Sequence, residues 1–447
     1  METMNSRLQG AGGDGLGVDT GAEAVRVEAN LAKRWWYLLP AVFVTYSLAY
    51  LDRANYGFGA AAGLAQTLHI TDKDSSLLSG LFFLGYFAFQ IPGAIFARRY
   101  SVSKAVCGAL VTWGLLAALT GVIRVFWVLA LDRFLLGVAE SLIFPVMLHL
   151  LTRWFTRAER SRANTILMLG NPTTVLWMSA ITGLLIEKFG WQKTFIFEGL
   201  PTVVWALVWG VFVRDRPTEA KWLSADAAVV LERRLAAEQM GIAQVGAVRE
   251  ALLRGDVLLL CVQYFCWSLG VYGFVLWLPS IVRRGAVVSM AKTGLLAAVP
   301  YLAAILLMLV VAYVSDKTLQ RKAIVWPFLL VSGVAMMGAF LIAEKSFALA
   351  FVGLVVAGGC MYAPYGPFFA IIPERVPRSV TAEVLALINS AGALGGFFGS
   401  YFVGWLRAET GNARAGYLLM SVSLMVSALL LLLLRDVPKV ARGGACV

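Results

Sequence analysis

Tyr50-Leu51-Asp52-Arg53-Ala54-Asn55 sets two adjacent ionisable residues inside an apolar run that begins near Trp35 and fades only after Gly63. At the centre of a spanning helix, each such charge is disfavoured by roughly 2.5–3.5 kcal/mol. A helix kept only for anchoring would not carry both, so the pair reads as a polar site facing a protein or water-filled interior. The plainer alternative is a helix that stops just before Asp52 and leaves the pair as an interfacial cap. Tyr56 to Gly63 argues against it, because that stretch has no charge and continues the apolar character.

The rest of the chain supports a membrane reading. Hydrophobic residues make up 60% of the 447 and charged residues 14%, where soluble domains carry about 25% charged residues. The net charge of +12 does not point to nucleic acid. Its basic residues sit in short hydrophilic gaps between apolar runs, the pattern of topology-setting loops. Cys107, Cys261, Cys266, Cys360 and Cys446 form no CxxC pair, so neither a disulfide framework nor a zinc site is indicated. His69 and His149 stand alone, and no metal or cofactor is expected. Residues 1–34, with glycines from Gly10 to Gly15, read as a disordered cytoplasmic tail. The first apolar run starts too late for a cleaved signal peptide and is expected to be retained.

Twelve runs of about twenty residues are long enough to span. They cover 36–60, 76–97, 104–124, 126–152, 163–187, 194–213, 257–282, 293–314, 323–343, 346–372, 381–406 and 414–434. The expected fold class is an all-α membrane protein with twelve transmembrane helices in two six-helix bundles, residues 35–213 and 257–434. A central loop, 214–256, separates the bundles, and 435–447 forms a second tail. That loop opens with Arg214-Asp215-Arg216-Pro217, where Pro217 is expected to end the sixth helix. Ser224 reads as the N-cap of a short amphipathic helix running to Gln239, solvated at the membrane surface. Alternate gaps carry most of the 38 Lys and Arg residues, among them Arg98-Arg99, Arg153, Arg157, Arg160 and Arg162, and Arg321-Lys322. This asymmetry puts both termini in the cytoplasm.

Polar residues inside the runs sort unevenly. Tyr46, Tyr50, Arg53 and Gly57 share one helical face, offering a cation flanked by two phenols. Asp52 points about 100° away and is free to face another helix. On the fourth run Arg133 and Glu140 share a face roughly 10 Å apart along the axis, beside Asp132 and Gly137. Glu140 has largely apolar residues on both sides. A buried carboxyl balanced between desolvation, which raises its pKa, and a nearby Arg, which lowers it, is suited to carry a proton. Tyr86 and Gln90 lie four apart on the second run, and Gly170-Asn171-Pro172 weakens the fifth. In the second half Gln263 and Tyr264 open the seventh run, with Tyr272 and Trp277 further along. Gly358-Gly359-Cys360-Met361-Tyr362-Ala363-Pro364-Tyr365-Gly366-Pro367 marks a discontinuous helix, tolerated where it lines a cavity or packs in protein. Asn389 is a candidate ligand, while Gly392, Gly395, Gly396 and Gly399 suit close helix packing. Charge in the first half and uncharged polar and aromatic groups in the second suit a small, polyhydroxylated organic anion.

Two six-helix halves around a long loop are the plan of the major facilitator superfamily, whose halves are parallel repeats about an axis along the membrane normal. Gly93-Ala94-Ile95-Phe96-Ala97-Arg98-Arg99 and Ala312-Tyr313-Val314-Ser315-Asp316-Lys317 both resemble its loop motif. The first copy has Ala97 where the motif has Asp, and the second lacks the Gly, which leaves the gating contact between the second and eleventh helices open. Leu51-Asp52-Arg53-Ala54-Asn55, Arg133-Phe134-Leu135-Leu136-Gly137 through Glu140, and Trp154-Phe155 with Glu159-Arg160-Ser161-Arg162-Ala163 resemble the anion:cation symporter branch. Asn389-Ser390-Ala391-Gly392 does so as well. Arg34-Trp35-Trp36-Tyr37, Gly170-Asn171-Pro172 and Met361 through Phe369 look like bacterial 2-ketogluconate permeases.

The resemblance implies proton-coupled uptake of a sugar acid across a bacterial inner membrane. Residues matching Asp52 and Glu140 are then the proton-linked acids, and those matching Arg53, Tyr50 and Tyr86 touch substrate. Asn171, Gln263, Tyr362, Tyr365 and Asn389 complete the candidate contacts, with Arg133 as a supporting charge. A monomer is expected, with a small organic anion, protons and the bilayer as partners. The alternatives are a symporter of the same branch for a hexonate, hexuronate or aromatic acid, and a proton-antiporting exporter.

Overall fold

In the computed structural model, residues 19–59, 64–69, 72–240, 242, 248–286, 290–343, 345–410 and 414–435 are described, and every regular element among them is helical. Besides single-turn pieces, these are α1 (Asp19–Tyr37), α2 (Leu39–Gly59), α3 (Asp72–Tyr100), α4 (Val102–Thr120), α5 (Phe126–Ser141), α6 (Ile143–Thr152) and α7 (Arg160–Phe212). There follow α8 (Ala225–Ala237), α9 (Gly255–Ala286), α10 (Met290–Thr318), α11 (Arg321–Ile342), α12 (Phe347–Tyr362), α13 (Tyr365–Ile371), α14 (Arg378–Thr410) and α15 (Arg414–Leu432). Ten stretches among the described residues are long and apolar enough to cross a membrane. Of the other two apolar runs, 36–60 and 163–187, residues 39–59 are helical as α2 and 163–187 form the first part of α7. Because α2 runs through Asp52 and Arg53 to Gly59, the pair does not cap a helix end.

Proline and glycine set the breaks. Pro145 removes one backbone donor and its ring would crowd the Ser141 carbonyl, so α5 and α6 part at Leu142. Gly190 adopts φ 78°, open to glycine at little strain, and divides α7 into two spans. The expected discontinuity falls between α12 and α13, at Ala363-Pro364. There Trp267 donates its indole N–H to the Met361 carbonyl at 3.0 Å. Small residues then let helices touch. A Cβ on Gly137 would collide with the Phe82 carbonyl of α3, and one on Gly395 or Gly399 with carbonyls of α9, the packing role expected of the α14 glycines.

The termini and the central segment depart from expectation. Residues 1–18 and 436–447 lie outside the described residues, but 19–34, expected to be disordered, belong to α1. A long-range dock explains the difference. Arg34 is buried, donates to the Trp154 carbonyl at 2.9 Å and to Glu159 at 2.5 Å, and stacks on Phe155. Burial lowers the Arg34 pKa from its ordinary value, and the Glu159 carboxylate opposes that shift. α7 stops at Phe212, short of Pro217, which instead opens the turn Pro217–Glu219. Ser224 caps α8 as expected, accepting from the Ala227 N–H at 3.4 Å. α8 is docked as well as solvated: Ala227, Ala228, Leu231 and Leu235 are buried, and Arg234 pairs with Glu28 of α1.

Candidate functional site

Arg133 on α5 is 2% exposed and lies between two aromatic faces, 4.7 Å from the Tyr56 ring and 5.3 Å from the Phe82 ring. Among the described residues its Nε and Nη1 have no hydrogen-bond partner. Ring contacts alone offset only part of the cost of burying a cation. An incoming carboxylate would accept a charge-assisted hydrogen bond from one of these donors. Asp132, next to it, accepts from Thr120 Oγ1 of α4 at 2.7 Å, so the neighbouring charges have different partners. Glu140, two turns further along α5, is fully buried.

The two halves of the chain meet beside this group. Asn389 on α14 donates to the Tyr86 hydroxyl at 3.2 Å and to Gln90 Oε1 at 2.8 Å, both on α3. Tyr86 stacks on Phe82 with centroids 6.0 Å apart, so Arg133, Phe82, Tyr86 and Asn389 form one connected set. From the other side comes an aromatic wall. Trp267 stacks on Tyr365 at 4.4 Å, Tyr264 on Phe368 at 5.3 Å, and Tyr301 and Phe144 meet Tyr362 and Phe369 edge-on. The Tyr362 and Tyr365 rings lie 5.7 Å apart, while Tyr50 is half-buried on α2. Among the described residues the buried Tyr362 hydroxyl has no hydrogen-bond partner, and neither has Asn171 Oδ1. Gln263 stands apart from this set: its Nε2 donates to Ser427 of α15 at 2.8 Å. The side chains of Asp52, Arg53 and Trp277 lie outside the described residues.

A second polar cluster clasps the halves together where α3 ends and α7 begins. Asp316 on α10 accepts from the backbone N–H groups of Ser161 and Arg162 at 3.0 and 2.9 Å. A carboxylate is favoured there by the positive end of the α7 dipole. Asp316 also takes Arg162 Nε at 3.0 Å and Arg321 Nη1 at 2.8 Å. Arg321 continues to Glu374 and to the Arg157 carbonyl. Arg98 pairs with the fully buried Glu383 of α14 at 2.5 Å, which supplies the contact between the second and eleventh spans. Arg378 reaches the Thr152 carbonyl at 2.8 Å, and Glu238 holds Arg160 at 3.1 Å.

Sequence reasoning singled out Asp316 and Arg98 only as parts of a degenerate loop motif, and Glu383 not at all. One acid near the start of an apolar run gives no sign of a partner 285 positions away. Tyr56, Phe82 and Trp267 were equally silent, since an aromatic in an apolar run reads as packing.

A family model described as Major Facilitator Superfamily matches residues 42–400 and 286–445. The chain belongs to the major facilitator superfamily. As a superfamily member it is a multi-pass membrane transporter and not an enzyme. It is 31% identical over 402 residues to a quinolone resistance transporter of Acinetobacter baumannii, covering 88% of this chain and 92% of the relative. Identity to a putative tartrate transporter of Agrobacterium vitis is also 31%, over 418 residues, covering 91% and 94%. The solved structure of the proton:xylose symporter XylE, bound to 6-bromo-6-deoxy-D-glucose, aligns with a TM-score of 0.71 at 12% identity. That alignment covers 88% of this chain and 94% of the other, a likeness of fold. In this major facilitator, Arg133, Tyr86 and Asn389 connect two halves that the clasp also joins.

Proposed function

We propose that this major facilitator is an anion:cation symporter that imports a monocarboxylate sugar acid, foremost 2-ketogluconate, with protons by alternating access. Two six-helix bundles, residues 35–213 and 257–434, rock about the shared site, and 214–256 joins them. The protein works as a monomer in the bacterial inner membrane with both termini cytoplasmic. The observation that carries the reading is Arg133: a buried cation with unused donors, two turns from a fully buried carboxyl group in the same helix. Drug cations would be repelled by that charge, whereas an organic anion is attracted.

Arg53 holds the substrate carboxylate with Tyr50, and Arg133 supplies supporting charge. Tyr86, Asn171, Tyr362, Tyr365 and Asn389 face its hydroxyls, with Gln263 at the edge of the set. Asp52 and Glu140 exchange the protons, so substrate binding and protonation favour one another. The test is proteoliposome uptake of labelled 2-ketogluconate under an imposed pH gradient, inside alkaline. Glu140→Gln should abolish accumulation above the external concentration and leave counterflow exchange intact. Concentrative uptake that survives this change would remove Glu140 from the coupling role.

A second reading, transport of an aromatic carboxylate, is favoured by the stacked wall of Tyr264, Trp267, Tyr365 and Phe368. The 31% identity to a quinolone resistance transporter also bears on that alternative. Competition of labelled uptake by tartrate, hexonates, hexuronates and benzoates separates the cargoes. Acidification or alkalinisation of the medium during transport gives the direction.

A further inference from the structure

On the outer flank of the molecule, where α3 ends and α4 begins, lies a cavity of about 390 Å³ lined by Tyr100, Lys104, Ala105, Gly108, Ala139 and Leu142, among others. A Cβ placed on Gly108 would meet nothing within 4 Å, so the void reaches the α4 backbone. The break between α5 and α6 at Leu142 forms its far wall. Phe96, Leu115 and Leu135 are exposed on the neighbouring faces, so the groove lies on the side that meets lipid tails. From Lys104 to Thr112 it follows two turns of α4, about 12 Å along the axis. That depth lies within one leaflet of a hydrocarbon core about 30 Å thick.

The two ends of the groove differ. Its inner part is built from alanine, glycine and valine. Lys104 stands exposed at its mouth, and Arg99 is exposed one residue before Tyr100. Neither forms an ion pair among the described residues, in contrast to Arg98, which pairs with Glu383. The nearby carboxylate of Asp215 accepts the Ser103 N–H at 2.7 Å. We propose that this groove is a binding site for an anionic phospholipid, one acyl chain lying along Ala105, Gly108 and Thr112 and the phosphate resting at Lys104 and Arg99. In lipid an apolar groove gains little from hydrophobicity alone, because any tail is as apolar as its walls. Selectivity therefore comes from the two cations, and retention from filling a void that would otherwise lack contacts. Occupancy also touches the residues beside Arg98, so a bound lipid braces the end of α3 that carries the clasp.

The test uses the full chain, stripped of lipid in detergent and titrated with phosphatidylglycerol or with phosphatidylcholine of the same tails, bound lipid being read by native mass spectrometry. The wild type should retain phosphatidylglycerol about tenfold more strongly. Gly108→Leu, which fills the groove, should lose the retained lipid while its lipid-free melting temperature stays at the wild-type value. Ala139→Leu repeats the test from the opposite wall if that variant does not fold. Arg99→Gln with Lys104→Gln should bind the two lipids equally. Full retention of lipid by both groove-filling variants would overturn the proposal. So would equal binding of both lipids by the wild type, displacement by soluble glycerol phosphate, or a dimer that fills the groove with a second copy.

Discussion

Replacing Asp316 by Ala should open the clasp. In the closed arrangement this carboxylate accepts two backbone N–H groups at the start of α7 and two guanidinium groups. Loss of a capping acceptor costs about 0.5–2 kcal/mol. Breaking a buried ion pair costs about 3–5 kcal/mol when it strands the partner. Arg321 is not stranded, since Glu374, Ser315 and the Arg157 carbonyl remain within reach. The Arg162 pair is 38% exposed on the Arg side and adds little. The clasped form should therefore lose about 2–4 kcal/mol relative to a form in which water replaces these contacts. That corresponds to a shift of roughly 30- to 1,000-fold in the open-to-clasped ratio.

The readout is a cysteine at Ala163, fully buried on α7 beside Arg162, in a background without the native cysteines. A small charged thiol reagent reaches it in detergent only when the clasp opens. Its labelling rate should rise at least tenfold in Asp316→Ala, whereas Lys317→Ala, an exposed neighbour, should leave it unchanged. A rate within twofold of the parent, from protein that still melts cooperatively, would refute the assignment of Asp316 as a clasp residue.

The same label reports on Gly366→Val. A side chain there would overlap the Thr165 hydroxyl and crowd the Ser161 carbonyl, so α13 and α7 must separate and labelling should accelerate. Arg133→Gln should lower anion affinity at least tenfold in a binding assay without unfolding the protein, given the unused donors of the native group. His149 is fully buried and neither ring nitrogen is hydrogen-bonded among the described residues, so His149→Phe should change thermal stability by less than about 1 kcal/mol. A larger loss would mean that the imidazole has a polar role.

Much of the architecture was legible because a bilayer leaves few options for a backbone. Apolar runs of spanning length became helices, and Pro364 in its glycine-rich stretch marked the break between α12 and α13. Polar residues inside runs were legible for the same reason, hence Tyr86, Arg133, Glu140 and Asn389. Their pairing was not. Helical spacing gives the face of a residue but not the helix across from it, so Asn389 meeting Tyr86 and Gln90 had no sign in the sequence. α1 escaped notice because its local composition is polar and its stability comes from Trp154, Phe155 and Glu159, over a hundred residues away. Gln263 shows the same limit: an amide in a spanning run suggested a ligand, but the run gave no sign that its Nε2 would donate to a serine on α15.

The two loop-motif copies hold the clasp by different physics, and Ala97 is the reason. The second copy keeps its acid, and Asp316 neutralises the start of α7, a helix of the other half. By analogy the first copy would hold the start of α14 with an acid, but Ala97 has no carboxylate to offer. Instead α14 carries its own acid near its first turn, Glu383, and Arg98, one residue after Ala97, meets it with the opposite charge. The polarity of the contact is reversed while its place is kept. Glu383 is fully buried but Arg98 is 31% exposed, so this pair is open to screening, whereas the Asp316 hydrogen bonds to backbone N–H groups are sheltered. Salt at 1 M, where the Debye length is about 3 Å, should thus loosen the α3–α14 side of the clasp before the α10–α7 side. Cysteines placed on the two sides should then show labelling rates that diverge as salt is raised, and parallel rates would mean that the clasp opens as one unit.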